Sequence, residues 1–264
     1  MSKTKTRRRS GLSITVAIIL LCTFLTALSW NFRQSAQEQT GSSTGTEPPS
    51  TAEPEPTESS ATEAPTARDT ALPSTEDPLL ILVNRDNPLP EDYVVETVAL
   101  QDFPQSVAVV IYDDLCAMLA DGRAEGLSFM ICSGYRSTET QERLFNEDME
   151  ALLDQGMSYV EAYEQTALYT MPPGCSEHET GLAVDIVAMN QQMLDESQED
   201  TAETRWLHEH CWEYGFILRY PADRSDITGI SYESWHYRYV GREAAAYLRE
   251  HDLTLEEYHS QKTS

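Results

Sequence analysis

The chain has 264 residues, 40% of them hydrophobic, with 44 acidic and 18 basic side chains and a formal net charge of −26. That length suffices for one sizeable core plus appendages. Six of the 18 basic residues and none of the 44 acids precede residue 35, so the remainder carries a net of −32; this excludes a general nucleic-acid-binding role, which needs clustered Lys and Arg against the phosphate backbone.

Residues 1–11 form a basic head containing Lys3, Lys5, Arg7, Arg8 and Arg9. The 19 residues at 12–30 carry no charge and are long enough to span a bilayer as a helix, with the basic flank inside. A cleaved secretory signal has a similar pattern, but the length of the run and the lack of a small-x-small site after it favour a retained anchor. Cys22 does not make a lipoprotein site, because Leu21 stands where a small residue is needed. Either way the rest of the chain is expected outside the membrane. Residues 31–78 read as a disordered linker, since 35–78 hold seven of the 13 prolines and nine acids against the single Arg68. Such a stretch cannot offset the entropy of ordering itself, and its prolines and like charges favour an extended spacer.

The folded part is expected at 79–258, with a short tail at 259–264. An apolar strand is predicted at 79–83, then turn chemistry in RDNPLPEDY. Helical spacing covers 112–121, with Leu115, Met118 and Leu119 on one face and Gly122 near its end. LSFMICS (127–133) reads as a buried strand, a helix follows from 138 until Gly156, and a shorter one spans 160–167. LAVDIVAM (182–189) is the next strand, and the acidic run after it is a loop. A helix at 202–214, strands at 216–220 and 232–239, and a helix at 242–250 complete the domain. Helices interspersed with a few strands indicate a single α+β domain rather than a βαβ repeat.

The chemistry concentrates in SGYRSTETQ (133–141), PGCSEHETGLAVD (173–185) and YESWHYRYVG (232–241). HEHCW at 208–212 fails as a zincin helix, because position 212 is Trp where the second His is required. His178, Asp185 and His236 could supply two imidazoles and a carboxylate, a usual set for a catalytic zinc that leaves one position for water. Asp185 lies within LAVDI, and a carboxylate with apolar strand neighbours has to be paired or coordinated. Structural roles stay open for each: turn capping for His178, aromatic packing for His236 and a salt bridge to arginine for Asp185. Glu233 lies three residues before His236, on the opposite face of an uninterrupted strand, so the backbone must bulge there if both serve one site. An ordinary surface carboxylate is its alternative.

Together the three segments resemble the VanY-type D-alanyl-D-alanine carboxypeptidases, zinc peptidases of the D,D-peptidase and Hedgehog superfamily. The likeness spans 79–248, beginning with LLILVNRDNPLPEDY, and the ordered set SGYRS with its following Gln, SEHxTGLAxD and ExWHYRYVG is highly specific. It implies a small antiparallel sheet with surrounding helices. It also implies one Zn²⁺ held by His178, Asp185 and His236, with Glu233 as catalytic base. Arg136 would bind the substrate carboxylate, with Ser133, Gln141 and Ser176 lining the site. The implied substrate is a peptidoglycan stem peptide ending in D-Ala-D-Ala. An L,D-carboxypeptidase, a cross-link endopeptidase and a non-catalytic wall-binding module are the alternatives.

Charge and cysteine placement add further expectations. Arg136, Arg143, Arg219 and Arg238 form a local positive patch for the anionic substrate. Four cysteines lie in the exported part, and Cys132 with Cys175 is the favoured disulfide, because each immediately precedes a segment that must meet in one pocket. Cys116 and Cys211 are a second pair or buried thiols, and a Cys175–His178 metal shell is a weaker competitor because it would close the site. The whole is expected as a monomer, tethered in the bilayer through 12–30 with its domain on the extracellular side.

Overall fold

A computed structural model of the chain describes residues 77–262. The basic head, the 12–30 anchor and all but the last two residues of the 31–78 linker lie outside the described residues. Among those described, no helix is long and apolar enough to cross a membrane. The elements, in order, are β1 (Thr97–Ala99), β2 (Ser106–Ala108), α1 (Tyr112–Ala124), β3 (Phe129–Ser133), α2 (Thr138–Asp154), α3 (Tyr159–Thr166), β4 (Ala183–Ala188), α4 (Ala202–His210), β5 (Phe216–Tyr220), α5 (Ser225–Thr228), β6 (Glu233–Tyr239), α6 (Arg242–Glu250) and α7 (Leu255–Lys262). β1 and β2 pair as an antiparallel hairpin, and the other four strands form an antiparallel sheet in the order β3-β4-β6-β5.

This is the α+β arrangement that the sequence pattern predicts. One face of the sheet presents Phe129, Ile131, Val184, Ile186, Phe216, Tyr237 and Tyr239 to Leu115, Met118 and Leu119 of α1 and to Trp206 and Leu207 of α4. Each such side chain, fully buried, contributes roughly 1.5–3 kcal/mol. The alternate residues of β4 and β6, including Asp185 and His236, therefore point the other way. α2, capped by Ser137 at Thr140 N, packs Phe145, Met149 and Leu152 against Ala162 of α3, whose start is a Ser158–Glu161 capping box. A third cluster joins Leu80 and Val240 to Ala244, Ala245 and Leu248 of α6 and to Leu255 and Tyr258 of α7.

Several boundaries differ from expectation for identifiable reasons. Residues 79–83 are not a strand: Asp77 Oδ1 accepts from Leu79 N and starts a single 3-10 turn, Pro78–Leu80. The carbonyls of Leu79 and Ile81 accept from Arg238 Nη2, and that of Leu80 from His259 Nε2, so side chains replace a β partner. α1 runs past Gly122 because a Cβ there would lie 2.6 Å from the Phe129 ring; the glycine lets the helix backbone close on the sheet. The 202–214 helix is α4 followed by a 3-10 turn, Cys211–Tyr214. The acidic run contains a 3-10 turn, Glu196–Asp200, pinned by buried Gln198, whose Nε2 donates to Gln191 O and Met193 O at 2.7 Å each. β1, β2, α5 and α7 are additions to the elements that the pattern predicts, and α7 continues through the start of the expected 259–264 tail.

Candidate active site

Two bulges build the site at one end of the sheet. On β3, Ile131 faces Ile186 and Ser133 faces Asp185, so Cys132 is an extra residue on that strand. On β6, Tyr237 faces Leu218 and Glu233 faces Tyr220, so four steps of β6 oppose two of β5. Asp185 in turn faces His236. The register thus lays Ser133, Asp185 and His236 in one row across three strands. The β6 bulge brings Glu233 to the same side as His236, with Oε2 3.6 Å from His236 Nδ1, as the three-residue spacing requires for a shared site.

His178 arrives from the 3-10 turn Glu177–Thr180. Its Nδ1 lies 2.8 Å from Gly134 O, and since a carbonyl can only accept, Nδ1 carries the proton and Nε2 a lone pair. That Nε2 sits 3.3 Å from Asp185 Oδ2. Arg136 N donates to His178 O at 3.1 Å, which ties the SGYR and SEH segments together. Gly134 also needs to be glycine, because a Cβ there would lie 2.4 Å from Ser106 O of the β1–β2 hairpin.

His236 Nδ1 lies 3.1 Å from Asp185 Oδ1, yet that oxygen makes no hydrogen bond. The two histidine rings meet edge-on with centroids 4.9 Å apart. One ligand atom each from His178, Asp185 and His236 falls within 4.8 Å of the others, the one such group of three among the described residues. All three are buried, at 4%, 3% and 4% exposure. Buried lone pairs that converge without bonding one another fit a cation, and two imidazoles with a carboxylate fit zinc. The Cys175–His178 alternative is not among these groups.

The electrostatics are those of a tight charge cluster. Burial pushes Glu233 up to about 8, with Asp185 and Glu177 adding to the rise and His236 and Arg136 opposing it. Asp185 is held well below the usual carboxylate range because its two histidine partners outweigh the cost of burial. His236 rises to about 9 against burial, through Asp185, Glu177 and Glu233. Burial and Arg136 lower His178.

Arg136 Nε donates to Ser133 Oγ at 2.8 Å, Nη1 to Gln141 Oε1 at 3.3 Å and Nη2 to Asp185 Oδ2 at 3.2 Å. Gln141 is itself buried and held by Met171 O at 2.7 Å from its Nε2. Ser133 and Gln141 are therefore placed on the arginine, and Ser176 N donates to Glu179 Oε2 at 3.3 Å beside the His178 turn. The expected four-arginine patch is not formed. Arg143 pairs with Glu147 on the surface, while Arg219 and Arg238 are buried on Glu177, leaving Arg136 beside the metal ligands. The expected Cys132–Cys175 disulfide is not formed: among the described residues no disulfide links these cysteines to one another. Cys175 packs instead against Met171, Tyr220 and Ile230, and hydrogen bonds hold the two segments together without a bridge. Glu177 is a site residue that the sequence does not reveal, since one acid among 44 carries no signal by itself.

Fold and site together define a candidate zinc centre of two imidazoles and a carboxylate, with a partly buried arginine beside it. The VanY family, D-alanyl-D-alanine carboxypeptidase, matches residues 105–242. The chain belongs to that family. A D-alanyl-D-alanine carboxypeptidase of Enterococcus faecalis is 40% identical over 179 residues, covering 68% of this chain and 65% of the relative, so the match spans slightly less than two thirds of that relative's length. The solved structure of VanYB in complex with D-Alanine-D-Alanine is 39% identical, with a TM-score of 0.63, covering 69% of this chain and 97% of that one. A mutant of the vancomycin-resistance D,D-pentapeptidase VanY in complex with Zn(II) gives 39% identity and a TM-score of 0.62, covering 69% and 99%.

Proposed function

We propose that this protein is a zinc D,D-carboxypeptidase that removes the terminal D-alanine from peptidoglycan stem peptides ending in D-Ala-D-Ala. One observation carries the reading. A guanidinium oriented by Ser133 and Gln141 sits 3.2 Å from a metal-ligand oxygen, which puts a carboxylate receptor one residue's reach from the hydrolytic centre.

His178, Asp185 and His236 would hold the zinc, which when bound supplies Lewis acidity to a carbonyl and to water. Arg136 binds the free C-terminal carboxylate and so measures one residue from the chain end. Glu233 stands beside His236, where it takes a proton from the attacking water and delivers it to the departing amine of D-alanine. Its burial keeps competing solvent away from that transfer.

The test is product analysis of the zinc-loaded protein on defined muropeptides. Free D-alanine from a pentapeptide ending in D-Ala-D-Ala supports the assignment. Release only from a tetrapeptide stem would indicate an L,D-carboxypeptidase, and an opened bridge with no free D-alanine a cross-link endopeptidase; either result overturns it. The uncharged run at 12–30 behind a basic head supports a single-pass anchor that holds the domain outside the cell. A mature secreted form beginning near Asn31 would overturn that placement.

A further inference from the structure

Behind the metal-binding row lies a charge cluster that the reaction leaves unused. Glu177, 1% exposed, accepts at Oε1 from both Arg219 Nε (2.7 Å) and Arg238 Nη1 (2.8 Å). Arg219 continues outward to Glu256 of α7 through Nη1 at 2.9 Å and Nη2 at 2.6 Å. Arg238 spends its other donors on the carbonyls of Leu79, Ile81 and Tyr239. All of this fixes one oxygen of Glu177. The other, Oε2, is buried with no hydrogen-bond partner and lies 3.5 Å from His236 Nε2, itself buried and unpartnered. The opposite ring nitrogen, Nδ1, is the one that faces Asp185 and Glu233.

We propose that Glu177 is a positioning residue for His236: its Oε2 accepts the Nε2 proton, fixing the tautomer that leaves the Nδ1 lone pair toward the zinc position. The inference rests on the zinc reading above. A histidine whose distal N–H is held by a carboxylate is a better metal ligand, because both ring orientation and tautomer are set in advance. Here two buried arginines hold the carboxylate, and Arg238 keeps its grip on Oε1 independently of the Arg219 link to the C-terminal helix. A purely structural role predicts something different, namely that Glu177 only neutralises the arginines and any break in the cluster acts alike.

Glu177→Gln and Glu256→Gln separate the two. With its amide oxygen kept on the arginines, the side chain introduced by E177Q would aim an NH₂ group at His236 Nε2, where two donors cannot pair unless the ring proton moves to Nδ1. Zinc affinity of the full chain in detergent micelles is read by competition with a chromophoric chelator, with melting of the zinc-free protein as the folding control. E177Q is expected to bind zinc roughly 10- to 100-fold more weakly. E256Q, which loosens the same arginine without touching His236, is expected to stay within about threefold of the parent. Equal affinity of folded E177Q and the parent overturns the proposal, as does equal weakening in both variants. If E177Q does not fold, long-range ¹⁵N NMR of the zinc-loaded parent decides: a proton on His236 Nε2 supports it, and a proton on Nδ1 overturns it. Failure of the parent itself to bind zinc would instead sink the function proposed above and take this inference with it.

Discussion

Arg136 offers the sharpest test, because its role can be isolated by altering enzyme and substrate together. Three of the five guanidinium N–H groups are engaged by Ser133, Gln141 and Asp185, which leaves two for a ligand, and the side chain is 20% exposed. Hydrogen bonds to a charged partner are worth about 1.5–3 kcal/mol each. Two of them would supply ~3–6 kcal/mol, and the neighbouring Asp185 charge and the partial exposure place the sum at the lower end, ~3 kcal/mol. That corresponds to a factor of roughly 150 in kcat/KM.

The perturbations are Arg136→Gln on the enzyme and amidation of the terminal carboxylate on a pentapeptide ending in D-Ala-D-Ala. Liquid chromatography with mass detection follows the tetrapeptide product, which is common to both substrates. Each change alone should lower kcat/KM by roughly 150-fold, and the second change should cost little once the first is made. R136Q also deprives Asp185 of its arginine, but that penalty falls on both substrates equally and cancels in the cycle. If amidation penalises R136Q as heavily as the parent, Arg136 does not read the carboxylate and the exopeptidase argument loses its ruler.

Glu233→Gln should retain stoichiometric zinc by metal analysis and lose roughly 10²- to 10⁴-fold in kcat, because it removes the proton acceptor and leaves the three ligands in place; near-parental D-alanine release would refute the role. Gly122→Ala should destabilise the fold by about 1–3 kcal/mol in a thermal or urea melt while leaving KM unchanged, since the added methyl meets the Phe129 ring. In the zinc-free protein Glu233 rises from the ordinary 4.5 to about 8 and His236 from 6.5 to about 9. Both folded-state values exceed the unfolded ones, so both contributions are complete below the unfolded pKa and are lost as pH rises through the folded one. Burial lowers His178 and His208, which act in the opposite sense below about pH 6.5, so the zinc-free melting temperature should fall between about pH 7 and about pH 9, and E233Q should flatten the lower part of that fall; a rise over this range would contradict the buried-pair geometry.

The site is far more legible in the sequence than its surroundings. Asp185 is readable because an apolar strand leaves a carboxylate in need of a partner, whereas His178, His236 and Glu233 each have an ordinary alternative and stand out only through the resemblance that the three ordered segments carry together. The bulge between Glu233 and His236 follows from period-two geometry, and the register confirms it. β5 and α6 begin and end where the pattern puts them, because Gly215 and Gly241 punctuate long periodic runs. The β1–β2 hairpin is not legible, since three-residue strands are too short to show alternation. The 79–83 difference has a related cause: buried apolar residues announce a strand, but the hydrogen bonds go to Arg238 and His259, far away in the chain. The expected cysteine pairing fails because closeness of two segments is not closeness of two sulfurs: Cys132 sits on a bulge and Cys175 in a separate apolar cluster.

The misplaced arginines explain how so acidic a protein can hold this site at all. Asp185, Glu177 and Glu233 are all buried within one cluster, and carboxylates in that setting repel one another unless cations stand between them. Arg136 faces Asp185, while Arg219 and Arg238 share Glu177, so the positive charge expected at the mouth of the pocket is committed behind it. Glu233 is the acid left without an arginine hydrogen bond, and it is also the one driven toward its protonated form. The same allocation of charge thus separates two kinds of carboxylate: Asp185 and Glu177, kept ionised by their histidine and arginine partners, and Glu233, which the proposed reaction would have gain and lose a proton. Under the function proposed above, a substrate anion would meet only the two remaining N–H groups of Arg136, a short-range contact that selects a correctly seated chain end rather than attracting anions from a distance.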